Sequence, residues 1–207
     1  MKGLLTKFNM TMFAVAVLFG CMVVGATPVK ADQYKLVWSD EFNGTELDTT
    51  KWNYNYGNGD GVPGWGNNEL QQYTDSKDNV RVENGNLVIT ARTERDENGK
   101  FKRFTSGRLN TSGKASFKYG RMEARIKVPS VTGLWPAFWM LGQNEPKGWP
   151  YCGELDILET WNTFNFAQGT VHWENEKDKP GRDSYAAFST KMKNKATWHI
   201  YGMNWDA

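Results

Sequence analysis

The chain has 207 residues, 39% of them apolar and 14% aromatic, with 21 Gly, ten Trp and a formal net charge of +2. That length supports one domain with its own core and not two. The chain is too aromatic for a disordered protein and too nearly neutral for a basic nucleic-acid binder, so both classes are excluded.

In chain order the first feature is a leader. Lys2 and Lys7 precede an uncharged stretch over residues 8–29, and Val29-Lys30-Ala31 has the small-x-small form that signal peptidase accepts. Residues 1–31 are therefore read as a secretory signal and residues 32–207 as the domain that is exported. The apolar part, Met10 to Ala26, falls short of the about 20 residues of a bilayer span. No stable membrane association is expected after cleavage. Lys2, Lys7 and Lys30 leave with the leader, so the 25 basic residues fall to 22 against 23 acidic ones, and the positive charge belongs to targeting. Cys21 leaves too, and Cys152 then has no partner for an intramolecular disulfide.

Period-two alternation dominates the rest. It predicts strands over Tyr34–Ser39, Val80–Glu83, Leu87–Thr93, Lys114–Tyr119, Arg121–Val128, Leu134–Leu141, Glu154–Glu159, Ala167–Trp173 and Thr197–Trp205. Asn84-Gly85, between the second and third of these, is a strong hairpin signal because both residues tolerate positive φ. No segment has helical period. Short strands with Gly-rich turns predict an all-β sandwich or jelly roll. The stretch from Tyr54 to Asn68 holds five glycines; its Asn58, Asp60 and Gly61 lack the spaced acids of a calcium loop, and it reads as a surface loop beside a binding site. The last strand stops at Asp206-Ala207 with no turn to return the chain, which is read as a domain missing its final strands.

Glu154-Leu155-Asp156-Ile157-Leu158-Glu159 carries the chemistry. In a regular strand Glu154 and Asp156 share a face and Glu159 has the wrong parity; a one-residue bulge at Ile157-Leu158 restores it. Three carboxyls on one face cannot all ionise cheaply, so at least one pKa should rise, leaving a protonated acid beside an ionised base. Glycosidic-bond hydrolysis with retention needs that pair. The alternative is an exposed strand whose outward residues happen to be acidic. Trp135 and Trp139 share a parity on a strand bulky on both faces, and Trp149 and Trp161 bracket the acids; indole faces stack on the C–H faces of sugar rings. His172 has no Cys or second His at ligand spacing, so no metal site is read there.

With these residues assembled, the chain resembles glycoside hydrolase family 16, and within it the bacterial laminarinase-like endo-β-1,3-glucanases. The resemblance spans Trp38-Ser39-Asp40-Glu41-Phe42-Asn43-Gly44, Asn67 to Tyr73, Gly120 to Arg125, Gly133 to Leu141 and Gly153 to Glu159, five motifs in order. It implies a jelly roll of two antiparallel sheets with a concave cleft for β-glucan. It implies Glu154 as nucleophile, Glu159 as general acid and then base, and Asp156 as the carboxyl tuning the nucleophile. The residue pair Ile157-Leu158 is the feature that separates laminarinase-like members from lichenases. Asn68, Arg108, Trp135, Trp139, Trp161 and His172 are implied as substrate-binding residues. The chemistry requires no cofactor; many relatives hold a structural calcium on the convex side, to which Glu41 and Gly85 could give ligands while the acidic partner falls beyond residue 207. A secreted monomer acting on β-1,3-glucan is the expectation. Mixed-linkage glucan, carrageenan or agarose as substrate, and non-catalytic glucan binding, stay open.

Overall fold

The structure is a computed structural model that describes residues 34–59, 61–143, 145–175 and 181–207. The expected leader, residues 1–31, and Asp60 of the glycine-rich loop lie outside the described residues. From Lys35 to Ala207 the chain forms one compact unit, built from thirteen strands: β1 (Asn53–Tyr54), β2 (Gln71–Tyr73), β3 (Val80–Glu83), β4 (Asn86–Ile89), β5 (Arg92–Arg95), β6 (Phe101–Ser106), β7 (Leu109–Asn110), β8 (Gly120–Ile126), β9 (Ala137–Leu141), β10 (Glu154–Glu159), β11 (Phe166–Glu174), β12 (Asp183–Lys191) and β13 (His199–Trp205). The only helical turn among the described residues is Pro63–Gly66, in the glycine-rich loop.

The sheet that carries the acidic segment has the order β12-β11-β10-β9, antiparallel throughout. Its centre is β10. Along β10 the pairing with β9 skips a residue between Asp156 and Leu158, and the pairing with β11 skips one between Asp156 and Glu159. This is the bulge expected from the parity of Glu159. It lets Ile157 and Leu158 both serve the core: Leu158 is 1% exposed and packs with Val128 and Tyr201, and Ile157, Phe138 and Ala167 close around them. Tyr201 lies on β13, which pairs with β8, so a second layer backs the four-stranded sheet. Burying one such leucine contributes about 2 kcal/mol, which makes Leu158 the pin between the layers.

Several predicted boundaries move, for identifiable reasons. Leu87–Thr93 is two strands, because β4 pairs with β3 and the chain then crosses to pair β5 with β6. Leu134–Leu141 becomes a strand only from Ala137, since Pro136 cannot donate to a ladder. Tyr34–Ser39 and Lys114–Tyr119 are not strands. In the second, Lys114 and Ala115 donate to the Thr111 carbonyl as a turn, and Phe117 is used instead to pack edge-on against Trp38 at 6.0 Å. β6 and β12 carry no alternation strong enough to have been predicted.

Candidate active site

The register fixes which side chains share a face. Across the sheet, Leu141, Glu154, His172 and Tyr185 form one row; Trp139, Asp156, Thr170 and Ala187 the next; Ala137, Glu159, Gln168 and Ser189 the third. The bulge therefore sets Glu154, Asp156 and Glu159 on a single face, each with its own neighbours. At the start of β10 the two flanking chains come unusually close: a Cβ on Gly142 would sit 1.8 Å from the Cys152 carbonyl oxygen, so only glycine fits where β9 leaves Glu154.

Those neighbours differentiate the acids. Glu154 accepts hydrogen bonds from Asp156 and from the indole of Trp149, a residue the sequence only bracketed. Burial raises its pKa, and the Glu159 charge adds to this, while His172 and the two hydrogen bonds pull it back down. Asp156 is buried and pushed up to about 7, by burial first and then by the charges of Glu154 and Glu159. Of the pair Glu154 and Asp156 it is therefore the one that holds a proton below neutrality, with Glu154 as the acceptor. Glu159 is held differently, with Trp135 Nε1 at 3.0 Å from one oxygen and Thr170 Oγ1 at 3.3 Å from the other. Ser189 donates to Gln168 Oε1 at 2.9 Å, and Gln168 Nε2 to Thr170 Oγ1 at 3.3 Å, so a row of donors runs from β12 to Glu159.

The sequence-predicted binding residues fall into three groups. Trp139, Arg108, Trp65 and Glu69 form one: the Arg108 guanidinium lies 4.3 Å from the Trp65 ring and 4.9 Å from the Trp139 ring, and 3.7 Å from Glu69. Tyr73 and Gln71 donate to the same Glu69 carboxylate, the latter at 2.7 Å. Trp65 and Glu69 were not anticipated; their partner Arg108 is some forty residues away, so only the fold joins them. Trp135 and Trp161 form the second group, lining a recess of about 310 Å³ with Gly133, Leu134 and Asn162. His172 sits beside Glu154 and Asp156 at the opposite end of β10, 6.2 Å from the Trp149 ring. Asn68 is exposed at φ 58 on the loop next to Glu69, and none of the described contacts ties it to the three acids.

For the structural calcium, Glu41 and the Gly85 carbonyl offer two oxygen donors against the six to eight such an ion takes. Among the described residues no group of three or more Asp, Glu, His or Cys side chains converges to hold a metal.

The family described as Beta-porphyranase A-D, GH16 domain, matches residues 34–207. The Beta-glucanase of Rhodothermus marinus is 40% identical over 203 residues, covering 94% of this chain and 68% of that protein. Glucan endo-1,3-beta-glucosidase A1 of Niallia circulans is 38% identical over 185 residues, covering 83% of this chain and 27% of that protein. Among solved structures, the laminarinase catalytic domain from Thermotoga maritima MSB8 superposes with a TM-score of 0.71 at 42% identity, covering 83% of this chain and 70% of that one. The fold is the β-jelly-roll sandwich expected from the strand pattern. Matching over nearly all the described residues, with the acidic face of β10 in place, the chain belongs to glycoside hydrolase family 16.

Proposed function

We propose that the protein is a secreted, endo-acting hydrolase of β-1,3-glucan that works with retention, as a monomer and without a cofactor in the chemical step. The observation that carries this is the bulged β10 face, where Glu154 receives a proton-bearing Asp156 as donor and Glu159 is held apart by Trp135 and Thr170. Two carboxyls in such different surroundings divide the roles of nucleophile and acid. In the first step a Glu154 oxygen bonds to the anomeric carbon while the glycosidic oxygen leaves with the proton of Glu159. In the second, Glu159 takes a proton from water, whose oxygen displaces Glu154 and restores both carboxyls.

The aromatic groups support a polysaccharide as substrate. Trp135 is 49% exposed beside Glu159, and Trp149 is equally exposed beside Glu154, so an indole flanks each end of the acidic strand. The similarity to glucan endo-1,3-beta-glucosidase A1 and to a laminarinase catalytic domain favours β-1,3-glucan over other family substrates. Reducing-sugar release should be measured in parallel on laminarin, lichenan, agarose and porphyran, with wild type and Glu154→Gln. The expected result is release from laminarin by the wild type and a loss of at least about a thousandfold in the variant, with laminarin binding retained. Release only from a galactan would replace the substrate; undiminished release by the variant would overturn the site.

A further inference from the structure

His172 is flanked by carboxylates on both nitrogens. Its Nδ1 lies 2.9 Å from Asp183 Oδ2 on β12, and its Nε2 lies 3.4 Å from Asp156 Oδ2 on β10. Asp156 Oδ2 is buried, and no hydrogen bond among the described residues reaches it. The arrangement follows from register: His172 is opposite Glu154 on one side and Tyr185 on the other, and Asp183 is two residues from Tyr185 on the same face.

We propose that Asp183 is a positioning residue of the catalytic centre: by accepting the Nδ1–H of His172 it fixes the imidazole between β10 and β12, with Nε2 facing Asp156 Oδ2 at 3.4 Å. This assignment rests on the hydrolase reading above. The direction of one proton depends on it. Asp156 donates to Glu154 through one oxygen. If Nε2 carries a proton, its N–H faces the other oxygen at 3.4 Å and leaves the Asp156 proton directed at Glu154. If the imidazole is neutral with its proton on Nδ1, Nε2 becomes an acceptor and competes for the Asp156 proton. Asp183, as an acceptor-only carboxylate, holds Nδ1–H in place, and its charge favours the imidazolium.

The groups facing His172 are Glu154 and Asp156 from β10, Asp183 and Tyr185 from β12, Glu174 on its own strand, and the Trp149 ring. Burial disfavours its charged form, but the Asp183 hydrogen bond and the charges of Asp183, Glu154 and Asp156 outweigh this and raise its pKa above the ordinary value. Asp183 is the largest of the raising causes.

The test is a histidine ¹⁵N titration of wild type and Asp183→Asn, read beside the pH dependence of laminarin hydrolysis. The chain has two histidines, so His199 serves as the internal reference for folding. In Asp183→Asn the His172 pKa should fall by about one unit or more, the alkaline limb of kcat should move down with it, and kcat should drop about tenfold or more while KM stays within about twofold. Asp183→Glu should recover part of both. Unchanged His172 titration and an unchanged kcat profile in Asp183→Asn would overturn the assignment. If that variant does not fold, the wild-type titration decides: a pKa above the ordinary imidazole value with protons on both nitrogens through neutrality supports it, and an ordinary or lower pKa refutes it. A wild-type protein inactive on every glucan would remove the hydrolase reading while leaving this titration able to decide the role of Asp183.

Discussion

At the scale of the residue, three acids two or three positions apart end in three different states because of what the neighbouring strands bring to them. Asp156 is the most buried, and its proton is the consequence. Its folded pKa of about 7 stands above the 3.8 of an ordinary aspartate, so between these values the folded chain holds a proton that the unfolded chain releases. Stability contributed at this site is therefore greatest at low pH and is lost as pH rises through that window. Replacing Asp156 by Asn should flatten this dependence: the melting temperature of the variant relative to wild type should be higher at pH 8 than at pH 5. Parallel pH profiles for the two proteins would contradict it. The acids themselves were legible, since an acidic run in an otherwise alternating strand has few other uses. Thr170 and Asp183 were not, because each owes its place to register across β11 and β12, and nothing in a Thr or an Asp marks that register.

At the scale of the element, β10 shows how one extra residue is absorbed. Its partners run without interruption on either side: Trp139, Phe138 and Ala137 on β9, and Thr170, Gly169 and Gln168 on β11. Deleting Ile157 would give a regular strand in which Glu159 keeps both Ala137 and Gln168 as partners and stays on the acidic face. The deletion variant should lose one core side chain, costing about 1–3 kcal/mol by urea unfolding. It should nevertheless keep laminarin hydrolysis within roughly tenfold of wild type. Loss as complete as in Glu154→Gln would show that the bulge itself, and not the parity it restores, is what catalysis requires. The bulge was readable from sequence because parity demanded it. β12 was not: among the described residues it is bonded only to β11, most of its residues are exposed, and Tyr185, Ala186, Ala187 and Phe188 put apolar groups on both faces. A strand at an edge has no single buried face to impose alternation.

At the scale of the whole molecule, the four-stranded sheet that carries the acids is one layer backed by the β8–β13 ladder through Leu158, Val128 and Tyr201, which leaves its other face free for the acids and the indoles. The division of the Trp residues follows: Trp38 and Trp52 pack edge-on at 5.5 Å away from the acids, while Trp135, Trp139 and Trp149 serve the acidic face. Two-layer architecture and the acidic face were both foreseeable from alternation, whereas the Arg108 cluster required the loop from Tyr54 to Asn68 to fold back beside β9, which no local pattern specifies. The claim on which the mechanism stands is that Glu154 becomes covalently attached to the sugar. Incubating the protein with a 2-deoxy-2-fluoro laminaribiosyl fluoride and mapping the labelled peptide by mass spectrometry tests this directly. The expected result is one glycosyl group per chain, on Glu154; a label on Asp156 or Glu159, or an unlabelled protein that still hydrolyses laminarin, would contradict it.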